Sequence, residues 1–248
     1  MCYYNSVHIP KKQTIVIDNN TIPKPDDDII IPVRNGFEYK PWPIIIHEHT
    51  GYKLVHAHWE YIPSWCTTWS TVEASRTKYT TLNAVGHTLL ESNMYAESAM
   101  QRRCLILSSG FYEWHQRTIA GNKKPTKFPY YITTSDIDDT HYYYIAGIYN
   151  VYTNPVDNTV LLNFAMVTTQ ANELMLTIHN TKQRMPVLLT PTLAAQWLVP
   201  SLTSAQVQEL ANYQYSSSAM QAHTVAKDFV TSHTPNKLHT YNELLSLF

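Results

Sequence analysis

The residue with the clearest chemical potential is Cys2, which directly follows Met1. A cysteine is small enough for methionine aminopeptidase to remove Met1, and the new terminus would carry an amine and a thiol on one residue. The reference pKa is about 8 for the amine and about 8.5 for the thiol, so both groups can be tuned near cellular pH. Together they can attack one aldehyde, first as an imine and then as a closed thiazolidine ring. Many chains carry a small second residue without such chemistry, so Cys2 alone does not decide the function.

Three polar residues further along are candidates to assist this chemistry. Glu113 lies among aromatic residues in the run FYEW, where it is either turned to water or desolvated, and desolvation would raise its pKa toward neutrality. His179 ends a predicted short helix and could simply cap it. Asn83 could simply form a turn. The sequence leaves these alternatives open.

Two indoles, Trp59 and Trp65, bracket Pro63 in the run WEYIPSW. Tryptophan is usually buried, so a turn that caps the core explains the run. The alternative is a platform on which an unpaired base stacks. The sequence leaves both interpretations open, the core-capping turn and the base-stacking platform.

Short β-branched and aromatic runs predict strands that would position these residues, whereas helix-forming segments are few and short. The predicted strands cover residues 14–17, 29–33, 44–46, 53–58, 104–107, 111–114, 128–133, 142–149, 164–168, 187–189 and 222–225. The predicted helices cover residues 94–103, 173–178, 192–198 and 204–210. No regular strand-helix rhythm is present, so the predicted class is α+β. We expect a single mixed domain over residues 1–248, with a largely antiparallel, barrel-like sheet and a few short helices.

Composition excludes several classes of protein. With 248 residues, 44% of them hydrophobic and 15% charged, the chain is typical of a globular protein, and its net charge of −1 gives no global attraction to nucleic acid. Cys2, Cys66 and Cys104 are widely spaced and lack a CxxC motif, which argues against a disulfide framework or a zinc ribbon. No apolar stretch is long enough to span a membrane, so we expect a cytoplasmic protein with no membrane partner.

Several motifs occur in an order that is known from one family. They are Met-Cys at the N-terminus, WEYIPSW at residues 59–65, Asn83-Ala84, Arg103-Cys104-Leu105 leading to Gly110-Phe111-Tyr112-Glu113-Trp114, and Ile178-His179 leading to Arg184-Met185-Pro186. This order resembles the SRAP family, the SOS-response-associated peptidases. The motifs span residues 2–189, and GFYEW followed by the histidine and RMP is highly specific.

The resemblance implies a DNA damage response protein that recognises abasic sites in single-stranded DNA and becomes covalently linked to them through Cys2. It also implies no metal or other cofactor, and the family carries a peptidase (hydrolase) label for action on its own N-terminus. A monomer is expected. The implied roles are Cys2 as nucleophile, Asn83 as its orienting partner, Glu113 as general acid/base and His179 as stabiliser of the opening sugar. The expected DNA contacts are Arg184, Lys182, Trp59 and Trp65.

The chain departs from the family at positions that contact phosphate. Tyr3-Tyr4 stands where Gly-Arg is common, and Val85 stands where another arginine is common. His87 stands where an acid is usual. Each lost phosphate contact lowers the affinity for DNA and flattens its salt dependence.

Two other functions use the same residues. An N-terminal-nucleophile amidohydrolase or cysteine peptidase could employ Cys2 and His179, but it needs an oxyanion hole and an acyl substrate. A noncatalytic binding module would keep the motifs only as core packing. Retained Met1 would favour the module, because it blocks the aminothiol.

Overall fold

A computed structural model describes residues 2–48 and 51–244. Its strands are β1 Tyr4–Ile9, β2 Ile15–Ile17, β3 Asn20–Ile22, β4 Ile29–Asn35, β5 Pro41–Glu48, β6 Gly51–Trp59, β7 Asn83–Val85, β8 Arg103–Ser108, β9 Gly110–Arg117, β10 Thr126–Thr134, β11 Tyr143–Thr153, β12 Val160–Gln170, β13 Arg184–Pro186, β14 Leu188–Leu189 and β15 Met220–Thr224. Its α-helices are α1 Trp69–Lys78, α2 Ala96–Gln101, α3 Ile137–Thr140, α4 Glu173–Ile178, α5 Pro191–Trp197 and α6 Ser204–Ala211.

The larger sheet closes into a barrel. Its strands follow the order β12-β6-β5-β8-β11, and β11 also pairs with β12, which completes the ring. The pairing between β12 and β6 is parallel, whereas the other pairings in the ring are antiparallel. Closure leaves no free edges in the ring, and the inward side chains fill the interior. Ile44 opposite Ile106 and Ile45 opposite Leu105 point to opposite faces of the sheet, and all four are buried, so the barrel wall is covered on both sides here.

The second sheet positions the segment that begins at Cys2, which is buried. Its order is β15-β10-β9-β1-β4, and all its pairings are antiparallel. β1 pairs with β4 from Tyr4 to Ile9, but it pairs with β9 only over residues 110–112. Because Tyr4 lies opposite Tyr112, the residues just before β1 enter beside Glu113. This register places Cys2 next to the predicted acid.

The expected class and architecture, an α+β fold around a largely antiparallel, barrel-like sheet with few helices, are confirmed. The elements that were not predicted are β1, β3, β7, β13, α1 and α3, of which β1 and α1 are the longest. The strand β1 (YNSVHI) lacks an apolar run because its buried Asn5 and Ser6 bond to Ser108 and to the carbonyl of Gly110. The helix α1 (WSTVEASRTK) has no apolar face and begins instead at a capping box.

The described residues include neither a membrane-spanning helix nor a metal-binding cluster. Within residues 2–48 and 51–244, no helix is long and apolar enough to cross a membrane. In the same ranges, no group of three or more His, Cys, Asp or Glu side chains is arranged to hold a metal ion. Cys2, Cys66 and Cys104 are all buried free thiols.

Candidate active site

Cys2 lies in the interior, with 1% of its surface exposed, and its backbone is held from both sides. The side-chain Nδ2 of Asn83 donates to the Cys2 carbonyl at 2.9 Å. On the other side, the Gly36 amide donates to the carbonyl of the next residue, Tyr3, at 2.8 Å. Asn83 is itself fixed, because β7 pairs with β12 and places it opposite Met166. These bonds fix the path of the N-terminal segment before it enters β1.

The side-chain oxygen of Asn83, Oδ1, is an acceptor that has no hydrogen-bond partner among the described residues. This oxygen is buried. An unsatisfied buried acceptor costs roughly 1–3 kcal/mol, which a ligand or terminal N–H group would offset. Asn83 can therefore hold the Cys2 carbonyl and accept one further hydrogen bond at the same place.

Glu113 and His179 form a close buried pair. Glu113 Oε2 lies 3.6 Å from His179 Nε2. His179 Nδ1 lies 2.8 Å from the Arg184 carbonyl. A carbonyl only accepts, so Nδ1 carries the proton of the neutral imidazole and Nε2 is left as the acceptor that faces the carboxyl.

Burial controls the protonation of all three titratable groups. It raises the pKa of Glu113 to about 7 and lowers the pKa of His179 to about 4. Burial, followed by the charge of Glu113, raises the pKa of the Cys2 thiol well above its usual value. At neutral pH the site therefore holds a neutral imidazole, a protonated thiol and a carboxyl that both gives and takes protons.

The segment that carries His179 is fastened to β9 by residues that sequence reasoning missed. His115 Nδ1 donates to the Thr177 carbonyl at 2.8 Å. The Asn180 side chain accepts from the Gln116 amide at 3.0 Å and donates to the Gln116 carbonyl at 2.8 Å. Asn180 thereby pairs with an edge of β9 that β1 does not reach. Side chains alternate along a strand, so residues 113 and 115 lie on the same face of β9. This alternation is the sequence feature that could have indicated a role for His115 near Glu113.

Arg184 is partly committed to a structural role. Its Nη2 donates to the Thr168 carbonyl at 2.7 Å and to the Thr168 hydroxyl at 2.9 Å. Its own carbonyl orients His179, as described above. Lys182 lies exposed in the loop between the two residues. Of the predicted phosphate contacts, Lys182 is exposed, whereas Arg184 is anchored to Thr168.

The structure separates the two predicted indoles, and the stacking role predicted for Trp59 is wrong. Trp59 is only 1% exposed, its ring stacks on Phe164, and its Nε1 donates to the Leu82 carbonyl at 3.0 Å. It lies at the end of β6, inside the core, where no base can reach it. Trp65 is 49% exposed, and its ring contacts that of Tyr79.

An aromatic residue stands where a phosphate-binding arginine is common. The Tyr4 ring packs edge-on against Trp114 with 5.2 Å between centroids, and its hydroxyl accepts from Asn35 at 3.2 Å. Phe229 completes the cluster. Tyr4 therefore anchors β1 by packing and leaves no positive charge at this place.

This arrangement defines a class of protein. The family model for SOS response associated peptidase (SRAP) matches residues 1–232. The chain therefore belongs to the SRAP family.

Similar proteins are found in bacteria and vertebrates. The abasic site processing protein YoqW of Bacillus subtilis (strain 168) is 29% identical over 182 residues, 73% of each chain. The abasic site processing protein HMCES of Xenopus tropicalis is 28% identical over 151 residues, which cover 55% of this chain and 42% of that protein. A crystal structure of a protein from Bacteroides thetaiotaomicron is similar with a TM-score of 0.72 and 29% identity, over 84% of this chain and 85% of the other.

Proposed function

We propose that this protein senses abasic sites in single-stranded DNA and, once Met1 has been removed, links to them through a thiazolidine at Cys2. The observation that carries the proposal is the placement of a buried Cys2 beside a carboxyl whose pKa is raised to about 7. Family membership and the names of the relatives support the substrate. The biological role is a response to DNA damage.

The first step follows from the protonation states. An abasic deoxyribose opens to an aldehyde, and neutral His179, whose Nε2 faces the Glu113 carboxyl, assists the proton transfer that releases the ring oxygen. The thiol of Cys2 is protonated, so the α-amine attacks C1′ first. Protonated Glu113 gives its proton to the departing hydroxyl, and water leaves as the imine forms.

The second step closes the ring. The Cys2 sulfur adds to the imine carbon, the S–H proton passes to the nitrogen, and Glu113 mediates the transfer. Aldehyde and aminothiol have then become one thiazolidine and one water, without any oxidant or reductant. A second bond to the same carbon makes the adduct more stable than an imine.

Around the active site, the protein offers few positively charged side chains to bind the DNA phosphates. We assign Lys182 and Arg184 to phosphates and Trp65 to an unpaired base. Trp59 is not one of the proposed DNA contacts, because its side chain is buried. With Tyr4 and Val85 in place of two arginines, we expect a shallow dependence of binding on salt.

The chain is proposed to act as one domain and as a monomer in the cytoplasm. A single hydrophobic cluster contains residues from Cys2 to Leu244, which supports one cooperative unit. Light scattering coupled to size-exclusion chromatography checks the oligomeric state.

A cysteine peptidase fits the site less well. Such an enzyme needs a thiolate beside an imidazolium, which requires a lowered pKa for the thiol and a raised pKa for the histidine. The pKa of Cys2 and the pKa of His179 shift in the opposite directions.

The decisive experiment is a denaturing gel of the mature protein with a single-stranded oligonucleotide that carries one abasic site. A heat-stable band of the combined mass is expected. The matched control is Cys66→Ala, which removes another buried thiol and should leave the band intact. Cleavage of peptide or amide substrates, with no DNA adduct, would favour the peptidase instead.

A further inference from the structure

The hairpin formed by β9 and β10 is basic. Residues 114–135 include one arginine and three lysines but no aspartate or glutamate. The lysines are Lys123, Lys124 and Lys127, and all three are exposed. The arginine, Arg117, is already engaged, because its Nη1 donates to the Glu243 carbonyl. The three hairpin lysines therefore form a local positive surface on a chain whose net charge is −1.

The fold does not use the charges of these lysines. Exposed lysines elsewhere pair with a nearby acid, as Lys11 does with Asp26 at 2.9 Å and Lys53 does with Glu48 at 3.2 Å. Within the described part of the chain, the three hairpin lysines have no such ion pair. Their positive charges are therefore available to an anion from outside the protein.

Lys127 lies on the same face of the sheet as Tyr4. Side chains alternate along β9, so Trp114 and Gln116 share a face, and Lys127 is directly opposite Gln116 on β10. The Trp114 ring packs against the Tyr4 ring with 5.2 Å between centroids. The positive charge that Tyr4 does not supply is therefore present further along this face, at Lys127.

The hairpin also adjoins the active site. Gln116 follows Glu113 by three residues, so the two are separated by about 10 Å along β9. The Asn180 side chain bonds to the amide and the carbonyl of Gln116, at 3.0 and 2.8 Å. Asn180 belongs to the loop that carries the exposed Lys182. The hairpin lysines therefore continue the basic surface from Lys182 away from the reactive Cys2.

We propose that the β9–β10 hairpin binds the phosphates of the DNA single strand where it continues beyond the abasic sugar, through Lys123, Lys124 and Lys127. This inference rests on the proposed function and adds a remote contact to it. Lysine binds a phosphate as a point charge and does not read the base, so the hairpin lengthens the bound strand without adding a sequence preference. Binding should become tighter and more dependent on salt as the strand is lengthened.

The test measures noncovalent binding of single-stranded oligonucleotides that carry a tetrahydrofuran abasic analogue, which has no aldehyde and cannot crosslink. The long oligonucleotide has about ten nucleotides on each side of the analogue, and the short one has a single nucleotide on each side. The triple variant Lys123→Gln/Lys124→Gln/Lys127→Gln should bind the long oligonucleotide at least about ten-fold more weakly at low salt. The slope of its log affinity against log salt should fall by about two. The variant should bind the short oligonucleotide like wild type.

The matched control is the triple variant Lys11→Gln/Lys12→Gln/Lys24→Gln, which changes the net charge by the same amount. Because β1 runs antiparallel to β9, Lys11 and Lys12 lie beyond the end of β9 that is opposite to the hairpin loop. Lys24 is beside them, since its Nζ donates to the Lys11 carbonyl at 2.8 Å. We expect the control to bind both oligonucleotides like wild type. Thermal unfolding checks that both triple variants are folded.

Equal binding of the hairpin variant and wild type to the long oligonucleotide would overturn the inference and leave the proposed function intact. An equal loss on the long and short oligonucleotides would also contradict it, because the lysines would then act at the sugar or through the fold. A third arm pairs the flanks with complementary strands, and a loss that appears only there would overturn the assignment to single-stranded DNA. Failure of the wild type to bind either oligonucleotide and to crosslink to a natural abasic site would overturn the proposed function as well.

Discussion

His179 Nε2 and Glu113 Oε2 face each other across 3.6 Å in the interior, and in the folded protein the proton of this pair belongs to the carboxyl. In an unfolded chain at pH 5 to 6 the assignment is reversed, because the reference pKa is about 4.3 for glutamate and about 6.5 for histidine. Folding therefore moves one proton from the imidazole to the carboxyl without changing the number bound.

This exchange predicts how stability depends on pH. The folded pKa of Glu113 is raised, so its contribution is lost as pH rises from about 4.3 to about 7. The folded pKa of His179 is lowered, so its contribution is lost as pH falls from about 6.5 to about 4. In the wild type these opposite slopes cancel between about pH 4.5 and 6.5. Each single variant should reveal one slope, of roughly 3–4 kcal/mol over its full range.

Denaturant unfolding across this pH range checks the prediction. His179→Gln should lose stability as pH rises, and Glu113→Gln should lose stability as pH falls. If both variants retain the flat wild-type profile, the two groups do not titrate as described.

The same pKa shift predicts the pH dependence of crosslinking. The acid form of Glu113 disappears above about pH 7, so the rate should fall on the alkaline side with that apparent pKa. Glu113→Gln should remove this limb and slow the reaction by about 10²–10⁴. Single-turnover crosslinking from pH 5 to 9 measures both effects. An unchanged alkaline limb in the variant would assign it to another group.

Much of the fold was predictable because strands of the barrel are continuous apolar runs. The runs at residues 104–107 and 164–168 lie within β8 and β12. β1 escaped prediction because its buried polar residues are satisfied only by partners about a hundred residues away, as in the Ser108 to Asn5 bond of 2.6 Å. Local patterns do not report such partners.

The sequence suggested the individual residues of the candidate site, but it did not predict their geometry. The sequence left open whether Glu113 is solvated, and burial by the fold decides it. Trp59 and Trp65 look alike in sequence, yet one ends a barrel strand and the other lies in the loop before α1. Asn180 escaped notice because its role depends on the bare edge of β9.

Asn180 should act as a positioning residue for His179. Asn180→Ala removes both bonds to Gln116, and Asn180→Asp keeps the acceptor but loses the donor. Because a small misplacement of a catalytic group is costly, we expect crosslinking to slow by about 10- to 100-fold in the alanine variant and less in the aspartate variant.

Two readouts separate this role from a general loss of stability. The pH profile of the rate should change in Asn180→Ala, whereas Asn122→Ala, which removes an exposed bond to Thr126, should match wild type. A decrease in rate that only tracks thermal stability, with an unchanged profile, would argue against positioning.

The covalent linkage should prefer single-stranded over fully paired abasic DNA. A stacked sugar in a duplex has to leave the helix to reach a buried Cys2, at a cost of a few kcal/mol. Crosslinking rates for the same abasic strand, alone and annealed, measure the preference. Equal rates for both DNA forms would contradict the preference.

Lys182→Ala should weaken binding of DNA and flatten the salt dependence of that binding by about one phosphate contact.

Met1 should be absent from the mature protein, because Cys2 is small and the proposed mechanism needs its amine for the first attack. Intact mass spectrometry of protein purified under native conditions measures this directly. Protein that retains Met1 and still forms the adduct would contradict the mechanism.

In the proposed mechanism Cys2 supplies both atoms that bond to the sugar, so its replacement should have an effect different in kind from that of the other residues. Cys2→Ala keeps an α-amine after Met1 removal but cannot close the ring, and Cys2→Ser offers a poorer ring-closing atom. Both variants should lose the heat-stable adduct yet form a labile imine that borohydride traps. Glu113→Gln and His179→Ala should only slow a reaction that still ends in the stable product, because these groups move protons and form no bond to DNA. A Cys2→Ala variant that gives a heat-stable adduct without reductant would place the reactive group elsewhere in the chain.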